Sequence, residues 1–249
     1  MYECLIALGG NVQISGQVFK DALAQLQLRG CSGVEMSRVL KTRPVGAEAG
    51  PQFLNAAAVL HTDQSPDELL RMLHETEAMF HRVRTHHWGP RTLDLDLILC
   101  GDWISDTPQL VVPHPAMWYR RFVLEPAIDV AARMVHPTLN ESVAGLHKRL
   151  MDRPLRLEIC SGKSATNHRF LDAVMHHVRD AGSDETEWQP TDPASVIAQD
   201  SFARIMLRQG EVLTASQKLN RKNREIEVGG NTVAEVLLQI EHLSIAMLG

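Results

Sequence analysis

The chain is poor in the features that mark several classes of protein. Its 249 residues contain only four cysteines, which lie far apart and form no C-x-x-C pair, arguing against a disulfide framework or a structural zinc site. No apolar run approaches the roughly 20 residues that span a bilayer, and the N-terminus lacks a basic region followed by an apolar one. With a net charge of −5 there is no uniform positive field for nucleic acid. These absences predict a cytoplasmic protein with no membrane and no nucleic-acid partner.

The pattern of apolar residues predicts a first domain over residues 1–151. Strands are expected at Glu3–Leu8, Val34–Arg43, Phe53–Thr62 and Thr92–Leu99, with one helix after the first strand and another before the last. Ser65 and Glu68 have the spacing of a capping box, which starts that second helix. A turn is expected at Gly9-Gly10-Asn11. This order predicts an α+β, ferredoxin-like βαββαβ fold, with both helices on one face of an antiparallel sheet and the other face free for a site.

A shift in composition near Asp152-Arg153-Pro154 predicts a separate domain over residues 152–249. This α/β extension, of unknown fold, is expected to contain a strand at Leu155–Cys160, a helix at Asn167–Asp180, an acidic loop at Gly182–Pro193, and helices at Val196–Gln209 and Thr232–Met247. The last helix could pack within its own domain, dock on the first domain or pair with a second chain. Self-association through this domain is therefore one of three open alternatives.

Two carboxylates in the fourth strand are the first candidates for chemistry. The period of two along a strand places Asp94 and Asp96 on one face and Leu93, Leu95 and Leu97 on the other, toward the core. Magnesium suits such a pair, because this ion accepts one or two carboxylates and completes its coordination with water and substrate phosphates. The common alternative is a pair of solvated carboxylates on an open sheet face.

Several arginines surround this carboxylate pair. Arg82 and Arg84 lie at the end of the second helix, and Arg91 lies just before the strand. Guanidinium groups beside paired carboxylates are typical of phosphoryl transfer, where they neutralise charge on the transferring group. An ordinary ion pair between Arg91 and one of the aspartates is the alternative.

Three further side chains could form an acceptor site. Trp88, in the loop before the fourth strand, could close over a flat ring or lie in the core. Phe53 and Asn55 point to one side of the third strand, so they could stack on and hydrogen-bond to a heteroaromatic base. A core Phe with a satisfied Asn is the default alternative.

Together these residues resemble the 6-hydroxymethyl-7,8-dihydropterin pyrophosphokinase family of folate synthesis, over about Met1 to Leu150. The segments that carry the resemblance are Gly9–Asn11, Thr42–Gly46, Phe53–Ala57, Glu77, Arg82–Arg84, Trp88–Asp96, Pro113–Pro115 and Arg120–Leu124. The segment W-G-P-R-T-L-D-L-D is highly specific to the family. The other segments are individually weaker.

The resemblance implies that the hydroxymethyl oxygen of the pterin attacks the β-phosphorus of ATP and that AMP leaves. It implies two magnesium ions on Asp94 and Asp96, with Arg82 and Arg91 as the other catalytic residues. The implied nucleotide-binding residues are Glu77, Arg84, His114 and Arg120. The implied pterin-binding residues are Thr42, Pro44, Val45, Phe53, Asn55, Trp88 and Phe122.

The sequence departs from the family pattern at three positions. Gly10 stands where the family usually has Ser, His87 where it usually has Arg, and Arg121 where it usually has a small residue. Gly10 and His87 motivate a second hypothesis, in which the chain is a nucleotide-binding regulatory or scaffolding module with little or no turnover.

Overall fold

The computed structural model describes residues 1–12, 14–43, 51–80, 92–161, 171–176, 178, 185–191, 202–209, 219–220, 224–230 and 232–248. The chain forms two compact units. Unit 1 comprises Met1–His147 and Ile245–Gly249, and unit 2 comprises Lys148–Ser244. Within the described ranges, no helix is long and apolar enough to cross a membrane.

Unit 1 is built on an antiparallel sheet. Its first elements are β1 (Tyr2–Gly10), α1 (Gly16–Leu28), β2 (Ser32–Met36), β3 (Leu40–Thr42), β4 (Phe53–Thr62), α2 (Pro66–Met79) and β5 (Asp94–Cys100). The strand order is β2-β4-β1-β5, β3 also pairs with β4, and every pair is antiparallel. The predicted mixed fold of helices on an antiparallel sheet is thus confirmed in its class.

The start of α2 forms as its sequence predicts. The Ser65 hydroxyl accepts a hydrogen bond from the Glu68 backbone N–H, and the Glu68 carboxylate accepts one from the Ser65 N–H at 2.8 Å. This capping box satisfies two donors that a helix start leaves without intrahelical partners, and Pro66 at the first turn has no N–H to satisfy.

The core of unit 1 lies between the sheet and helices α1 and α2. Apolar residues that alternate along β1, β4 and β5 face the apolar stripes of the two helices. Its buried members include Ile6, Leu8, Ala56, Ala58, Leu95 and Leu97 from the sheet, and Phe19, Leu26, Leu69 and Leu73 from the helices.

The prediction of one strand over Val34–Arg43 is wrong, because the chain leaves the ladder at residues 37–39. There the Ser37 N–H donates to the Ala57 carbonyl, while the Ser37 hydroxyl accepts from the Ala57 N–H at 2.9 Å. The side-chain oxygen replaces a backbone acceptor, so two short strands form in place of one.

The second face of the sheet is also partly covered, contrary to the expectation that it would be free. Leu5, Ala57 and Val59 alternate with the core residues of their strands and are buried as well. The element that contacts this sheet is α3 (Arg121–Ala131), which packs on β4, β1 and β3. Between β5 and α3 the chain forms β6 (Ser105–Asp106), β7 (Val111–Val112) and a 3-10 helix (Met117–Tyr119). After α3 come β8 (Val135–His136), β9 (Glu141–Ser142) and α4 (Val143–Met151), within which unit 1 ends.

Unit 2 contains a mostly parallel sheet. Its elements are β10 (Leu155–Ser161), helical residues 171–176, β11 (Thr186–Pro190), β12 (Ala203–Gln209), β13 (Leu219–Asn220), β14 (Glu225–Gly230) and most of α5 (Val233–Leu248), whose last residues, from Ile245, belong to unit 1. The order is β11-β10-β12-β14-β13, and only β13 runs antiparallel to its neighbour. The predicted loop at Gly182–Pro193 contains β11, and residues 203–209 of the predicted helix Val196–Gln209 form β12, so both predictions are wrong there.

The error at β12 has a physical reason. Arg204 lies opposite Glu158 of β10 and Glu225 of β14, and its side chain is 1% exposed. Its Nη2 donates to Glu158 Oε2 at 2.5 Å, and Nη1 lies 3.8 Å from Glu225 Oε1. A buried arginine is tolerated only with such partners, which are remote in sequence. The local pattern therefore does not reveal a central strand.

Candidate active site

A cavity of about 240 Å³ opens on the sheet face where α3 begins. Its wall is formed by strands β1, β3, β4 and β5 of the sheet and by the segment that leads into α3. The lining residues are Ala7, Leu8, Gly9, Thr42, Arg43, Phe53, Asn55, Asp94, Asp96, His114, Arg120, Phe122 and Val123. We refer to this space as the first cavity.

Asp94 and Asp96 both line the first cavity. They are half-buried, whereas Leu95 and Leu97 are buried, so the predicted alternation is confirmed. In the pairing of β1 with β5, Gly9 lies opposite Asp94 and Ala7 opposite Asp96. The two carboxylates therefore project side by side from the sheet into the same space.

Gly9 lies between Asn55 and Asp94 in the sheet, opposite Asn55 of β4 and Asp94 of β5. A Cβ atom there would lie 3.4 Å from Asn55 Oδ1 and 3.8 Å from Asp94 Cβ, which are ordinary van der Waals distances. The turn expected at Gly9-Gly10-Asn11 is wrong, because β1 continues through Gly10.

Asn55 is held by a neighbouring strand. Its Nδ2 donates to Thr42 Oγ1 at 2.7 Å, and its side chain is almost fully buried. Phe53, two residues earlier, lies on the same side of β4 and pairs with Thr42 of β3. A half-buried aromatic ring and an oriented amide thus face one cavity, as the sequence predicts.

His114, Arg120 and Phe122 also line the first cavity, from the segment that leads into α3. The His114 backbone N–H donates to the Ile98 carbonyl at 2.9 Å, and its Nδ1 accepts the Ala116 N–H at 3.2 Å. The neutral ring therefore carries its proton on Nε2. The Arg120 guanidinium carbon lies 5.6 Å from the centre of the Phe122 ring, within the range of a cation–π contact.

Tyr119 supports Arg120 from the interior. Burial raises the pKa of the Tyr119 hydroxyl, and the neighbouring Arg120 charge and hydrogen bond partly oppose that shift. The hydroxyl therefore remains protonated and neutral at neutral pH. It is a fixed dipole beside the guanidinium.

Glu77 is not part of the lining, although it is next to the site in the fold. Its side chain is 2% exposed, and its Oε1 accepts the Leu95 backbone N–H at 2.8 Å. Three residues further on, the Phe80 carbonyl accepts from Thr92 Oγ1 at 2.9 Å. The end of α2 thus holds the first residues of β5, where the two aspartates lie.

The structure brings together eight of the predicted site residues, namely Thr42, Phe53, Asn55, Asp94, Asp96, His114, Arg120 and Phe122. Pro44, Val45, Arg82, Arg84, Trp88 and Arg91 lie outside the described residues, as does His87. Sequence reasoning missed Ala7, Arg43 and Val123. For Arg43 the one available signal was its place inside the Thr42–Gly46 segment.

The donor set can be compared with that of a metal ion. Among the described residues, no group of three or more His, Cys, Asp or Glu side chains could hold a metal ion by itself. Asp94 and Asp96 supply two adjacent carboxylates and leave the remaining positions to water and ligand oxygens. This set fits magnesium bound together with phosphate groups, and it does not fit a site formed entirely by protein ligands.

An antiparallel sheet with a carboxylate pair facing an arginine and an aromatic wall defines a site suited to metal–phosphate complexes. The family model described as 7,8-dihydro-6-hydroxymethylpterin-pyrophosphokinase (HPPK) matches residues 5–132, which is 128 of the 249 residues. The chain belongs to this family.

Relatives with known names agree with the family model. The chain is 37% identical over 148 residues to the 2-amino-4-hydroxy-6-hydroxymethyldihydropteridine pyrophosphokinase of Synechocystis sp., covering 58% of this chain and 74% of that one. It is 35% identical over 156 residues to the enzyme of the same name from Haemophilus influenzae, covering 62% of this chain and 97% of that one.

A solved structure of Plasmodium falciparum HPPK-DHPS is also similar. It aligns with a TM-score of 0.46 at 10% identity, over 72% of this chain and 54% of that longer chain.

Proposed function

We propose that this protein transfers pyrophosphate from ATP to the hydroxymethyl group of 6-hydroxymethyl-7,8-dihydropterin and releases AMP, as a step of folate biosynthesis. The observation that carries the proposal is the first cavity, which Asp94 and Asp96 line together with Phe53, Asn55 and Phe122. Membership of the HPPK family supports the same activity. The alternative of a binding module without turnover is not favoured by the named relatives.

Asp94 and Asp96 would hold magnesium, and we propose two ions. Magnesium bound there would neutralise phosphate charge and orient the nucleotide. Arg120 and His114 line the same cavity, and a cation and an Nε2–H donor suit contacts with a triphosphate. By the resemblance, Arg82 and Arg91 would stabilise the transferring group, Arg84 would guide the phosphates, and Glu77 would lie near the nucleotide, behind the strand that carries the aspartates.

The pterin would occupy the space between Phe53 and Phe122. Because Asn55 Nδ2 donates to Thr42, the Asn55 carbonyl oxygen is oriented and can accept a hydrogen bond from the pterin edge. The backbone of Thr42 to Val45, which includes Pro44, would read the rest of that edge. Trp88 would close over the site and exclude water.

In the reaction, the hydroxymethyl oxygen forms a bond to the β-phosphorus of ATP while the bond from that phosphorus to the α,β-bridging oxygen breaks. AMP leaves with the electron pair of the broken bond, and the proton of the attacking hydroxyl is released to water. No residue becomes covalently modified, so rate enhancement comes from alignment of the two substrates and neutralisation of charge.

We also propose that unit 1 has the ferredoxin-like topology and that the chain divides into two domains. Within unit 1, β1-α1-β2 and β4-α2-β5 are two strand–helix–strand repeats with the strand order β2-β4-β1-β5, which supports the ferredoxin-like topology. Residues 1–151 would form the catalytic domain and 152–249 an additional domain. A cytoplasmic location and self-association through the additional domain stay predictions, the latter tested by sedimentation of the full chain.

The activity is tested by AMP release. Purified protein with ATP, magnesium and 6-hydroxymethyl-7,8-dihydropterin is expected to form AMP and the pterin diphosphate in equal amounts. Asp96→Asn should lower kcat by at least about 100-fold, because it removes a charged oxygen from the metal–phosphate site. Asp102→Asn, at an exposed aspartate just beyond β5, is the matched control and should leave kcat unchanged.

Two outcomes would contradict the proposal. One is nucleotide binding by calorimetry without any AMP release, which would favour the binding module. The other is full activity of the Asp96→Asn variant, which would remove the carboxylate pair from the mechanism.

A further inference from the structure

A second cavity, of about 210 Å³, adjoins the first. Thr42, Arg43 and Phe122 line both cavities, so the two spaces share a wall. The other residues of the second cavity are Leu40, Lys41, Gln52, Arg121 and Glu125. None of these five has a role in the proposed reaction.

The second cavity carries an excess of positive charge. Of the described residues that line it, Lys41, Arg43 and Arg121 are cationic and Glu125 is the one carboxylate, so these residues together carry a net charge of about +2. Arg121 Nε donates to Glu125 Oε2 at 2.8 Å, so the Glu125 carboxylate is paired with Arg121. Lys41 is the middle residue of β3, and Arg43 follows directly after the end of that strand at Thr42.

The start of α3 adds to this positive potential. Arg120 is its N-cap and Arg121 its first residue, there is no capping side chain, and the first turn contains no acidic residue. Cations at the positive end of a helix dipole are unfavourable, and an anion bound there would offset that cost. Arg121 Nη1 also donates to the Leu248 carbonyl, in the same unit, at 2.5 Å. Its guanidinium is thereby fixed in place beside the cavity.

We propose that the second cavity is a binding site for a small oxyanion of the phosphate class. Phosphate offers several acceptor oxygens to the donors of one lysine and two arginines, and arginine forms paired hydrogen bonds with it. The Arg43 side chain, which borders both cavities, is the element through which an anion in the second cavity would influence the first.

The shared wall has a functional consequence, which rests on the proposed function. If phosphate changes the affinity of the first cavity for the pterin, the pterin must change the affinity for phosphate by the same factor. Binding of phosphate to the second cavity does not depend on the proposed pyrophosphokinase activity. The phosphate site and the enzyme activity can therefore be disproved separately.

The test is calorimetric titration of the full-length protein with inorganic phosphate, with chloride holding the ionic strength constant. The wild-type protein should bind phosphate saturably at one site. Lys41→Gln, which alters only the second cavity, should weaken the Kd by about tenfold or more, since a charge-assisted hydrogen bond is lost. Lys20→Gln, at an exposed lysine of α1, is the matched control and should leave the Kd within about twofold of the wild-type value.

A third variant separates the two cavities. Arg120→Gln, which alters the first cavity, should retain phosphate binding. Loss of binding in Arg120→Gln with retention in Lys41→Gln would place the anion in the first cavity and overturn the proposal. Absence of saturable binding to the wild-type protein would overturn it as well, while leaving the AMP assay as an independent test of the enzyme.

Discussion

The hydrogen bond from the Leu95 N–H to Glu77 allows a direct test of how the metal-binding strand is positioned. Leu95 lies between the two aspartates, and its N–H has Glu77 Oε1 as a buried acceptor at 2.8 Å. Glu77→Leu removes this acceptor and puts an apolar side chain of similar size in its place. Glu77→Gln keeps an oxygen in the same place and removes the charge.

The expected magnitude follows from the environment of the bond. A buried N–H that loses its acceptor costs about 1–3 kcal/mol. If Glu77→Leu costs about 2 kcal/mol at the start of β5, local opening becomes about 30-fold more frequent. The Glu77→Gln variant should lose less than half of this, because its amide oxygen still accepts.

The measurement is amide hydrogen exchange at Leu95, followed by NMR in the folded protein. Exchange at Leu95 should accelerate about 30-fold in Glu77→Leu and only a few-fold in Glu77→Gln, and kcat for AMP release should fall in the same order. Glu75→Leu, in the same helix, removes ion pairs with Arg29 and Arg71 at the surface and should leave Leu95 unchanged. An unchanged exchange rate at Leu95 in Glu77→Leu would refute the reasoning.

Two further predictions concern stability. Burial lowers the pKa of His136 to about 4 from an unfolded value of 6.5. Between these two values the unfolded chain binds more protons than the folded one, so the free energy of unfolding falls as the pH drops from 6.5 toward 4. The loss is about 2 kcal/mol at pH 5. His136→Asn should flatten the acid-side dependence of Tm, and an unaltered dependence would count against this account. Gly33→Ala should lower the free energy of unfolding by about 2 kcal/mol and Tm by several degrees, because φ is +56° and the new Cβ would lie 2.8 Å from His61 Nδ1. The control Gly16→Ala, at the first residue of α1, where a Cβ would lie at an ordinary 3.5 Å from Val39 Cγ2, should not lower Tm; equal losses in both variants would show that the backbone conformation is not the cause.

Local patterns in the sequence specify much of unit 1. The bounds of β4, Phe53–Thr62, match the prediction, and the capping box at Ser65 and Glu68 forms as expected. The alternation in β5 places Asp94 and Asp96 opposite the core leucines. These features depend on residues within a few positions of one another, where backbone geometry alone sets which face a side chain occupies.

Other features depend on partners that are remote in sequence. Ser37 breaks a predicted strand because its hydroxyl reaches Ala57 across the sheet. Arg204 lies in a central strand because Glu158 and Glu225 flank it, and no local pattern announces that pairing. The helix α3 covers part of a face that the order of elements alone would leave open.

The sequence by itself determined which residues could carry the chemistry, because the aspartate pair and its family motif are contiguous. Only the tertiary structure decided which of them meet. It brings Asn55, His114 and Phe122, from three distant segments, to the same cavity as the aspartates. It places Glu77 behind the strand, and it sets Arg43 between two cavities. The physical reason is that a strand's pattern fixes the direction of each side chain, whereas the pairing of strands and the packing of α3 fix which directions converge.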